Sequence, residues 1–404
     1  MDIEGIRREI EGELFDNCLP FWLDNGLDRE HGGMLTSLDR SGFVYATDKS
    51  IWFQGRAAYI FSRLCNVYGT RPEWLEAARS CLDFAQRHGF VHGTNRMLFS
   101  VTRSGQPLRL RRYHFSEQFF AMACAEYAVA SGDMDYMRRA REMAMYAWDL
   151  ASSRIADISG YPAKVDAGTR ATLTLAEPLM LLTTFSTLLG LDDCNRDEYD
   201  TICTQMAEDI VHRHLHIENK FVYENVPLCG VLDESQPYGR LMNPGHVIEG
   251  SWILLDYARQ ANREDLAHAA ILMFRYAYEA GWDAEYGGLF SFVDRLGYPP
   301  EPIEHDMKYW WPHCELLIAS LKMALDGDES CREIFDGTWR YCRDHFIDGR
   351  HGEWFGYLRR DGSPVEPGPK GNMFKGPFHV PRALMMVERL LAGCESVPPV
   401  HEQG

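Results

Sequence analysis

Six polar residues that can bind or move protons recur along the chain at intervals of 60 to 69 residues. They are Arg56, Glu117, Glu177, His246, His313 and His379. Histidine and glutamate can act as general acids and bases near neutral pH, and a guanidinium keeps its charge and can hold a developing anionic oxygen. The set therefore predicts proton transfer, with two imidazoles removing a proton from one face of a carbon atom and returning one to the other.

Each of these residues stands at or near the start of a stretch that is apolar on nearly all sides. Five such stretches are residues 119–130, 178–191, 248–261, 316–325 and 380–391. Between them lie amphipathic stretches, such as residues 72–88, with one apolar face. The first kind is typical of helices buried on every side, and the second of helices that cover them. Two helices per regular interval predict an all-α fold, a single (α/α)6 barrel of six helical hairpins over residues 1–404.

A segment bounded by glycines also repeats. Residues 32–42 return as residues 287–297 and, more loosely, as residues 352–362. Short apolar runs with Asp and Gly at the bend are typical of β-hairpins. Lysine and aromatic residues follow each repeat, and a helix comes next. The pattern predicts short β-hairpins at the rim of the barrel that carries the polar residues.

The inner helices of such a barrel are parallel, so their first turns surround one mouth. Polar residues expected there are Arg56, Glu117, His246, Glu249, His313, Glu315 and His379, and aromatic residues expected there are Trp52, Tyr113, Trp310, Trp311 and Phe378. Aromatic walls with a few convergent polar groups indicate a small-molecule pocket, and flat aromatic faces beside carboxylates and imidazoles suit a sugar. At C2 of a sugar the proton is labile only when C1 is an aldehyde, so ring opening must come first. Arg56 is the candidate to hold the resulting enolate oxygen.

Composition excludes several other classes of function. The chain has 404 residues, with 59 acidic and 41 basic residues, a net charge of −18. Such a field disfavours nucleic acid and anionic membrane surfaces as partners. The sequence lacks a long apolar segment, a signal-peptide pattern, paired Cys-x-x-Cys metal ligands and a phosphate-binding glycine loop. We therefore expect a cytoplasmic protein with no metal.

Several motifs resemble one family. They are Asn-Pro-Gly-His-Val-Ile-Glu at 243–249, Lys-Tyr-Trp-Trp-Pro-His-Cys-Glu at 308–315, Gly-Glu-Trp-Phe-Gly-Tyr at 352–357 and Phe-Lys-Gly-Pro-Phe-His-Val-Pro-Arg at 374–382. With residues 52–56 and 115–117 they resemble the N-acylglucosamine 2-epimerase family, whose animal members are also called renin-binding protein. The resemblance extends from about residue 21 to residue 391.

The resemblance implies an (α/α)6 barrel that interconverts N-acetylglucosamine and N-acetylmannosamine through the C2 proton. It implies that His246 and His379 are the acid/base pair. It assigns binding or orienting roles to Arg56, Glu249 and Glu315 and a supporting role to His313 and Arg382. From their expected place at the mouth, Tyr113, Glu117 and Trp310 complete the predicted substrate-binding set. It further implies that the chemistry needs no cofactor, that ATP can activate without being consumed, and that the protein forms a homodimer.

Other functions remain open from the sequence. Cellobiose 2-epimerases, mannose isomerases and sulfoquinovose isomerases share the barrel and several of these residues, so another free sugar or an aldose–ketose isomerisation is an alternative. The string Phe-His-Val-Pro-Arg at 378–382 favours the N-acyl sugar. A glycoside hydrolase with paired carboxylates and a non-catalytic binding protein are weaker alternatives.

Overall fold

The computed structural model describes residues 3–111, 113–154, 168 and 171–393. The α-helices of these segments are, in chain order, α1 (Ile3–Gly12), α2 (Leu19–Asn25), α3 (Ile51–Tyr68), α4 (Pro72–His88), α5 (Phe115–Ser131), α6 (Met134–Ala151), α7 (Ala176–Leu191), α8 (Arg196–Asp209), α9 (Pro244–Gln260), α10 (Glu264–Gly281), α11 (Trp310–Leu325), α12 (Glu329–Tyr341) and α13 (His379–Leu391). None of the helices in this part of the chain combines the length and the apolarity needed to cross a membrane.

Helices α3, α5, α7, α9, α11 and α13 form a closed inner ring, in which each packs on the next and α13 packs on α3. Helices α4, α6, α8, α10 and α12 pack outside it, and α1 covers α13. Local sequence explains the two layers. Helix α5 buries residues on all of its faces, whereas α4 buries one face that includes Trp74, Ala78 and Leu82. The predicted all-α (α/α)6 barrel is therefore confirmed.

Short strands form the rim at which the inner helices begin. They are β1 (Ser37–Leu38), β2 (Val44–Ala46), β3 (Lys49–Ser50), β4 (Ser100–Val101), β5 (Pro107–Arg109), β6 (Thr172–Thr174), β7 (Leu215–His216), β8 (Phe221–Val222), β9 (Asn225–Pro227), β10 (Leu241–Met242), β11 (Val293–Asp294), β12 (Lys308–Tyr309) and β13 (Tyr357–Leu358). All pairs are antiparallel: β1 with β2, β4 with β3 and β5, β6 with β9, β7 with β8, β10 with β11, and β12 with β13.

The rim strands also connect neighbouring units of the barrel. β1, in the first glycine-bounded repeat, forms a hairpin with β2, which directly follows the repeat, as predicted. In the other two repeats, β11 and β13 pair with β10 and β12, the strands that lead directly into α9 and α11. Leu358 of β13 also forms an antiparallel bridge with Pro364, so this repeat closes a hairpin as predicted. The start of an inner helix is thus fixed by a strand from the unit that follows it.

Three ion triads, each with a buried aspartate, a buried lysine and a partly exposed arginine, repeat around this rim. They are Asp28 with Lys49 and Arg103, Asp283 with Lys308 and Arg360, and Asp348 with Lys370 and Arg40. In the first, Lys49 Nζ lies 2.8 Å from Asp28 and 4.2 Å from the centre of the Phe84 ring. Burial alone would raise the pKa of the Asp28 carboxyl, but the hydrogen bonds from Arg103 and Lys49 outweigh it and hold this pKa well below its usual range.

Contacts between the first and last units close the barrel. Arg7 on α1 donates to Glu388 on α13 at 2.9 Å, and Tyr68 donates to the other oxygen of the same carboxylate at 2.8 Å. At the rim, the indole of Trp354 donates to Glu13 at 2.9 Å. The outer layer over the last inner helix is therefore supplied by the first helix of the chain.

Candidate functional site

Two inner helices present histidines in their first turns at the rim. The side chain of Asn243 caps α9 by accepting a hydrogen bond from the backbone N–H of His246 at 3.2 Å, and Pro244 fits the first helical turn. His379 is the first residue of α13. Because both helices begin at the rim, the two imidazoles lie at the same mouth of the barrel.

The imidazole of His246 is oriented by a carboxylate. Its Nδ1 lies 3.1 Å from each oxygen of Glu224, and its Nε2 has no hydrogen-bond partner among the described residues. Burial lowers the pKa of His246, but the negative charges of Glu224 and Glu249 raise it more, so that the pKa lies above its usual value. His246 is therefore poised to hold a proton that its Nε2 can donate.

The imidazole of His379 has a different environment. Its Nδ1 donates to Glu315 Oε1 at 2.7 Å, and the Nη2 of Arg382 lies 3.3 Å from the same nitrogen. Burial and the positive charge of Arg382 hold the pKa of His379 well below its usual value. The ring is neutral near pH 7, and its Nε2, which lacks a partner in the described segments, can accept a proton.

Arg382 joins the carboxylates behind His379. Its Nη2 donates to Glu249 and to Glu315 Oε1, each at 2.6 Å. The second oxygen of Glu315 accepts a hydrogen bond from the indole of Trp252 at 2.9 Å. Arg382 and Glu315 are 3% and 0% exposed, so their charges are desolvated and hold one another in place. The network fixes the position and tautomer of His379.

The same cluster has the donor types of a metal site. Ligand atoms of Glu249, Glu315 and His379 all lie within 4.8 Å of one another. However, the guanidinium of Arg382 bonds to both carboxylates and already supplies the positive charge that they need. The arrangement fits an ion-paired support for the imidazole.

Arg56 supplies hydrogen-bond donors beside the histidines. Its guanidinium lies 4.3 Å from the centre of the Phe119 ring and 5.1 Å from that of Phe378, and Nη1 donates to the Phe374 carbonyl at 2.9 Å. Its Nε is buried and has no partner in the described part of the chain. Burial lowers the pKa of Arg56 to about 10, which still leaves it charged at neutral pH. It can therefore stabilise a developing oxyanion.

The loop before His379 is anchored by a buried ion pair. Lys375 donates to Glu353 at 2.7 Å, and both side chains are 0% exposed. Glu353 also accepts a hydrogen bond from the indole of Trp22 at 2.6 Å. Lys375 directly follows Phe374, whose carbonyl holds Arg56, so this ion pair positions that carbonyl.

Aromatic rings line the mouth as expected from the sequence. The ring of Trp311 lies close to both histidines, with its centre 5.2 Å from that of His246 and 5.7 Å from that of His379. The indole N–H groups of Trp52 and Trp310 are buried without a partner among the described residues. Tyr113 stacks on Phe115 at 5.2 Å and is partly exposed. Unpaired donors on aromatic walls suit a ligand with many hydroxyl groups.

Two of the predicted site residues face elsewhere. Glu117 is fully buried, pairs with Arg96 and accepts from the backbone of Met97 at 2.7 Å. His313 is also fully buried: Nε2 accepts from the backbone of Leu289 at 2.9 Å and Nδ1 donates to the Tyr309 carbonyl at 2.6 Å. Burial lowers the pKa of His313 to about 3. Both residues hold rim segments in place. This position is compatible with the supporting role expected for His313, and a contact of Glu117 with the substrate stays a prediction.

Sequence reasoning missed Glu224 and Trp252. Glu224 lies between β8 and β9, and its backbone N–H donates to Leu241 at 2.8 Å, which brings it beside α9. A carboxylate within the apolar run 221–226 was the available signal. No sequence pattern marks Trp252 as a site residue, because a tryptophan on an inner helix looks the same in sequence as a residue of the hydrophobic core.

Comparisons with known proteins agree with this geometry. A model of the family N-acylglucosamine 2-epimerase (GlcNAc 2-epimerase) matches residues 33–377. The N-acylglucosamine 2-epimerase of Mus musculus is 36% identical over 395 residues, which covers 95% of this chain and 91% of that protein. The N-acylglucosamine 2-epimerase of Bos taurus is 38% identical over 384 residues, with coverage of 93% and 89%.

Solved structures share the fold at lower identity. Cellobiose 2-epimerase from Bacillus thermoamylovorans B4167 superposes with a TM-score of 0.81 at 19% sequence identity. The superposition covers 96% of this chain and 100% of that chain. A D-mannose isomerase superposes with a TM-score of 0.77 at 18% identity, over 95% and 98% of the two chains. These two comparisons establish the shared barrel.

Proposed function

The chain belongs to the N-acylglucosamine 2-epimerase family of carbohydrate epimerases, and we propose that it interconverts N-acetylglucosamine and N-acetylmannosamine. The observation that carries the proposal is the pair of imidazoles that both contact the ring of Trp311, each with Nδ1 held by a carboxylate and Nε2 without a partner among the described residues. Two such groups can act on opposite faces of one carbon atom.

The proposed reaction begins with the open-chain sugar, in which the C1 aldehyde makes the C2 proton acidic. The neutral His379 takes this proton at Nε2, and the electron pair moves onto the aldehyde oxygen to form an enolate. The guanidinium of Arg56 stabilises that oxygen. The protonated His246 then gives its Nε2 proton to the other face of C2, and the aldehyde re-forms with inverted configuration.

One turnover leaves His379 protonated and His246 neutral. The reverse reaction starts from this state, so the two protonation states serve the two directions. Glu315 and Glu224 stabilise the imidazolium in each state, because each accepts the Nδ1–H of its own histidine. Proton exchange with water restores the first state.

The overall reaction moves protons and changes no oxidation state, so its chemistry calls for no redox cofactor. Activation by ATP without hydrolysis, assembly as a homodimer and a cytoplasmic location stay predictions. An aldose–ketose isomerase would return the proton to C1, and a single imidazole would suffice for that step. The presence of two such imidazoles therefore favours epimerisation.

The test is an NMR time course in D2O with N-acetylglucosamine, mannose and cellobiose. We expect deuterium at C2 of N-acetylglucosamine while N-acetylmannosamine accumulates. A ketose product would assign isomerisation instead. No exchange with any of the three sugars would overturn the proposal.

A further inference from the structure

One arginine at the rim of the histidine mouth has no carboxylate partner among the described residues. Arg111 lies in the connection between β5 and α5, and its side chain is partly exposed. By contrast, Arg40, Arg103 and Arg360 at the same rim each bond to an aspartate. Burial and the positive charge of the nearby Arg109 lower the pKa of Arg111. Its guanidinium is therefore a charged donor that no described residue satisfies.

The guanidinium of Arg111 packs on aromatic rings of the site. Its central carbon, Cζ, lies 4.1 Å from the centre of the Phe99 ring, 5.2 Å from that of Phe374 and 5.8 Å from that of Trp52. The guanidinium of Arg56 lies 5.6 Å from the centre of the same Trp52 ring and donates to the Phe374 carbonyl. Arg111 and Arg56 therefore lie at the same mouth, on a shared aromatic surface.

The backbone of Arg111 is held by a buried ion pair. Nη2 of Arg96 donates to the Arg111 carbonyl at 2.5 Å, and Nη1 of Arg96 pairs with Glu117 in the first turn of α5. Both paired side chains are 0% exposed. The backbone N–H of Phe99 also donates to the Arg109 carbonyl at 2.8 Å, two residues before Arg111. The fold itself thus holds Arg111 against Phe99, without a carboxylate at its guanidinium.

Phe374 supplies an open apolar surface beside this guanidinium. It is 43% exposed, whereas Phe99 and Trp52 are 3% and 8% exposed. A charged donor next to an open apolar ring matches a group that joins an acceptor oxygen to a methyl group. An N-acetyl group is such a group. A hydroxyl group on the same carbon has no methyl group, and its oxygen lies two bonds closer to the carbon chain.

The order of groups along an N-acyl sugar agrees with this placement. In the proposed reaction Arg56 holds the oxygen on C1, and the N-acyl group is attached to C2, the next carbon. Phe374 connects the two positions, because its carbonyl accepts from Arg56 and its ring contacts Arg111. A sugar with its C1 oxygen at Arg56 therefore carries its acyl group close to Arg111 and Phe374.

We propose that Arg111 and Phe374 form the acyl-binding part of the histidine mouth and determine its selectivity for N-acyl sugars. The guanidinium of Arg111 donates to the acyl carbonyl, and the ring of Phe374 packs on the acyl methyl group. This inference deepens the proposed function and rests on it, because it places the C1 oxygen at Arg56. Neither side chain moves a proton, so both contribute to sugar affinity and not to the chemical step.

Epimerase kinetics of R111Q test the donor. We expect KM for N-acetylglucosamine to rise by about tenfold or more and kcat to stay within about threefold, because the lost charge-assisted hydrogen bond is present before and during the chemical step. The inhibition constant of mannose, which has a hydroxyl group at C2, should change by less than about twofold. The matched control R109Q removes the same charge from an exposed position on β5 and should keep the wild-type KM.

Replacement of Phe374 tests the apolar contact. F374A keeps the backbone carbonyl that binds Arg56. We expect KM for N-acetylglucosamine to rise by about threefold, and the inhibition constant of N-formylglucosamine, which lacks the methyl group, to change less. Equal changes for the two acyl sugars would overturn the methyl contact. Circular dichroism and Tm establish that each variant is folded.

Three results would overturn the role of Arg111: an unchanged KM in R111Q, an equal loss of affinity for mannose, or an equal rise of KM in R109Q. Any of them, observed while the wild type epimerises N-acetylglucosamine, would leave the proposed function in place. A wild type that epimerises neither N-acetyl sugar would overturn the proposed function and this inference together.

Discussion

The two ends of the barrel use the same six inner helices in different ways. At the far end, inner and outer helices are joined by short turns, such as residues 69–71 and 132–133. At the histidine end, the connections are long and carry the rim strands, as in residues 210–243 and 342–378. The long connections supply Glu224 and the Phe374 carbonyl to residues of the helices.

One ion pair from each end shows a difference in burial. Arg382 and Glu315 at the histidine end have side chains that are 4% and 0% exposed, whereas Arg259 and Asp326 at the far end are 42% and 46% exposed. Desolvated pairs with several hydrogen bonds fix geometry, but exposed pairs are screened by water. The comparison teaches that this fold places its proton-transfer groups where long connections can hold them from several sides.

The largest difference between the two ends is expected in catalysis, when either histidine is replaced. We expect H246A and H379A to lower kcat for epimerisation by about a thousandfold or more, because each removes a general acid/base. R259Q at the far end should retain activity within about twofold, since it removes only an exposed ion pair. Coupled enzyme assays that start from N-acetylglucosamine and from N-acetylmannosamine measure kcat in the two directions. Wild-type activity in either histidine variant would remove that residue from the acid/base pair.

Stability should respond to the rim triads more than to far-end pairs. D28N leaves the buried Lys49 ammonium without its countercharge and should lower the free energy of unfolding by about 3 kcal/mol. D326N at the far end should cost under about 1 kcal/mol. Urea unfolding at pH 7 provides the comparison, and equal losses in the two variants would contradict it.

Asp28 should also make the free energy of unfolding depend on pH. Because the folded-state pKa of Asp28 lies below its unfolded value of about 4, its stabilisation is present above that pH and is lost as the pH falls further. D28N should therefore lose the corresponding part of the acid sensitivity in urea unfolding between about pH 5 and pH 2.

The smallest effect is a shift of the pH profile. E224Q removes the negative charge that raises the pKa of His246 and should lower kcat by about tenfold, since an amide orients the ring but stabilises its proton less. In the direction that uses His246 as the acid, activity falls as the pH rises through the pKa of His246. This alkaline limb of the pH–activity profile should move to lower pH in E224Q. D256N, in the C-terminal half of α9, should leave the profile in place; an unmoved limb in E224Q would contradict the role of Glu224.

The layers of the barrel could be predicted from the sequence because they depend on local patterns. The amphipathic stretch 72–88 coincides with α4, Pro72–His88. The residues His246, His379, Glu249, Glu315 and Arg382, inferred from spacing and motifs, do lie together at one mouth.

The direction of each side chain could not be predicted. An α-helix turns about 100° per residue, so His313 and Glu315 point to nearly opposite sides of α11. Glu315 meets Arg382 at the barrel axis, and His313 meets the backbone of the rim at Leu289. A regular interval of 60 to 69 residues fixes where a helix begins but not its rotation. Glu224 depended on strand pairing across the rim, which no local pattern encodes.

Closure of the ring has a consequence for how the chain reaches this structure. The contacts that close it join residues far apart in sequence, such as Arg7 with Glu388, separated by 381 positions, and Arg40 with Asp348, separated by 308. Contacts at such separation form late and slowly. During synthesis α1 emerges before the other described helices, but it packs on α13, which emerges after them. The apolar sides of α3 and α11 that α13 covers therefore stay open to water, and to chaperones or aggregation, until α13 has been made.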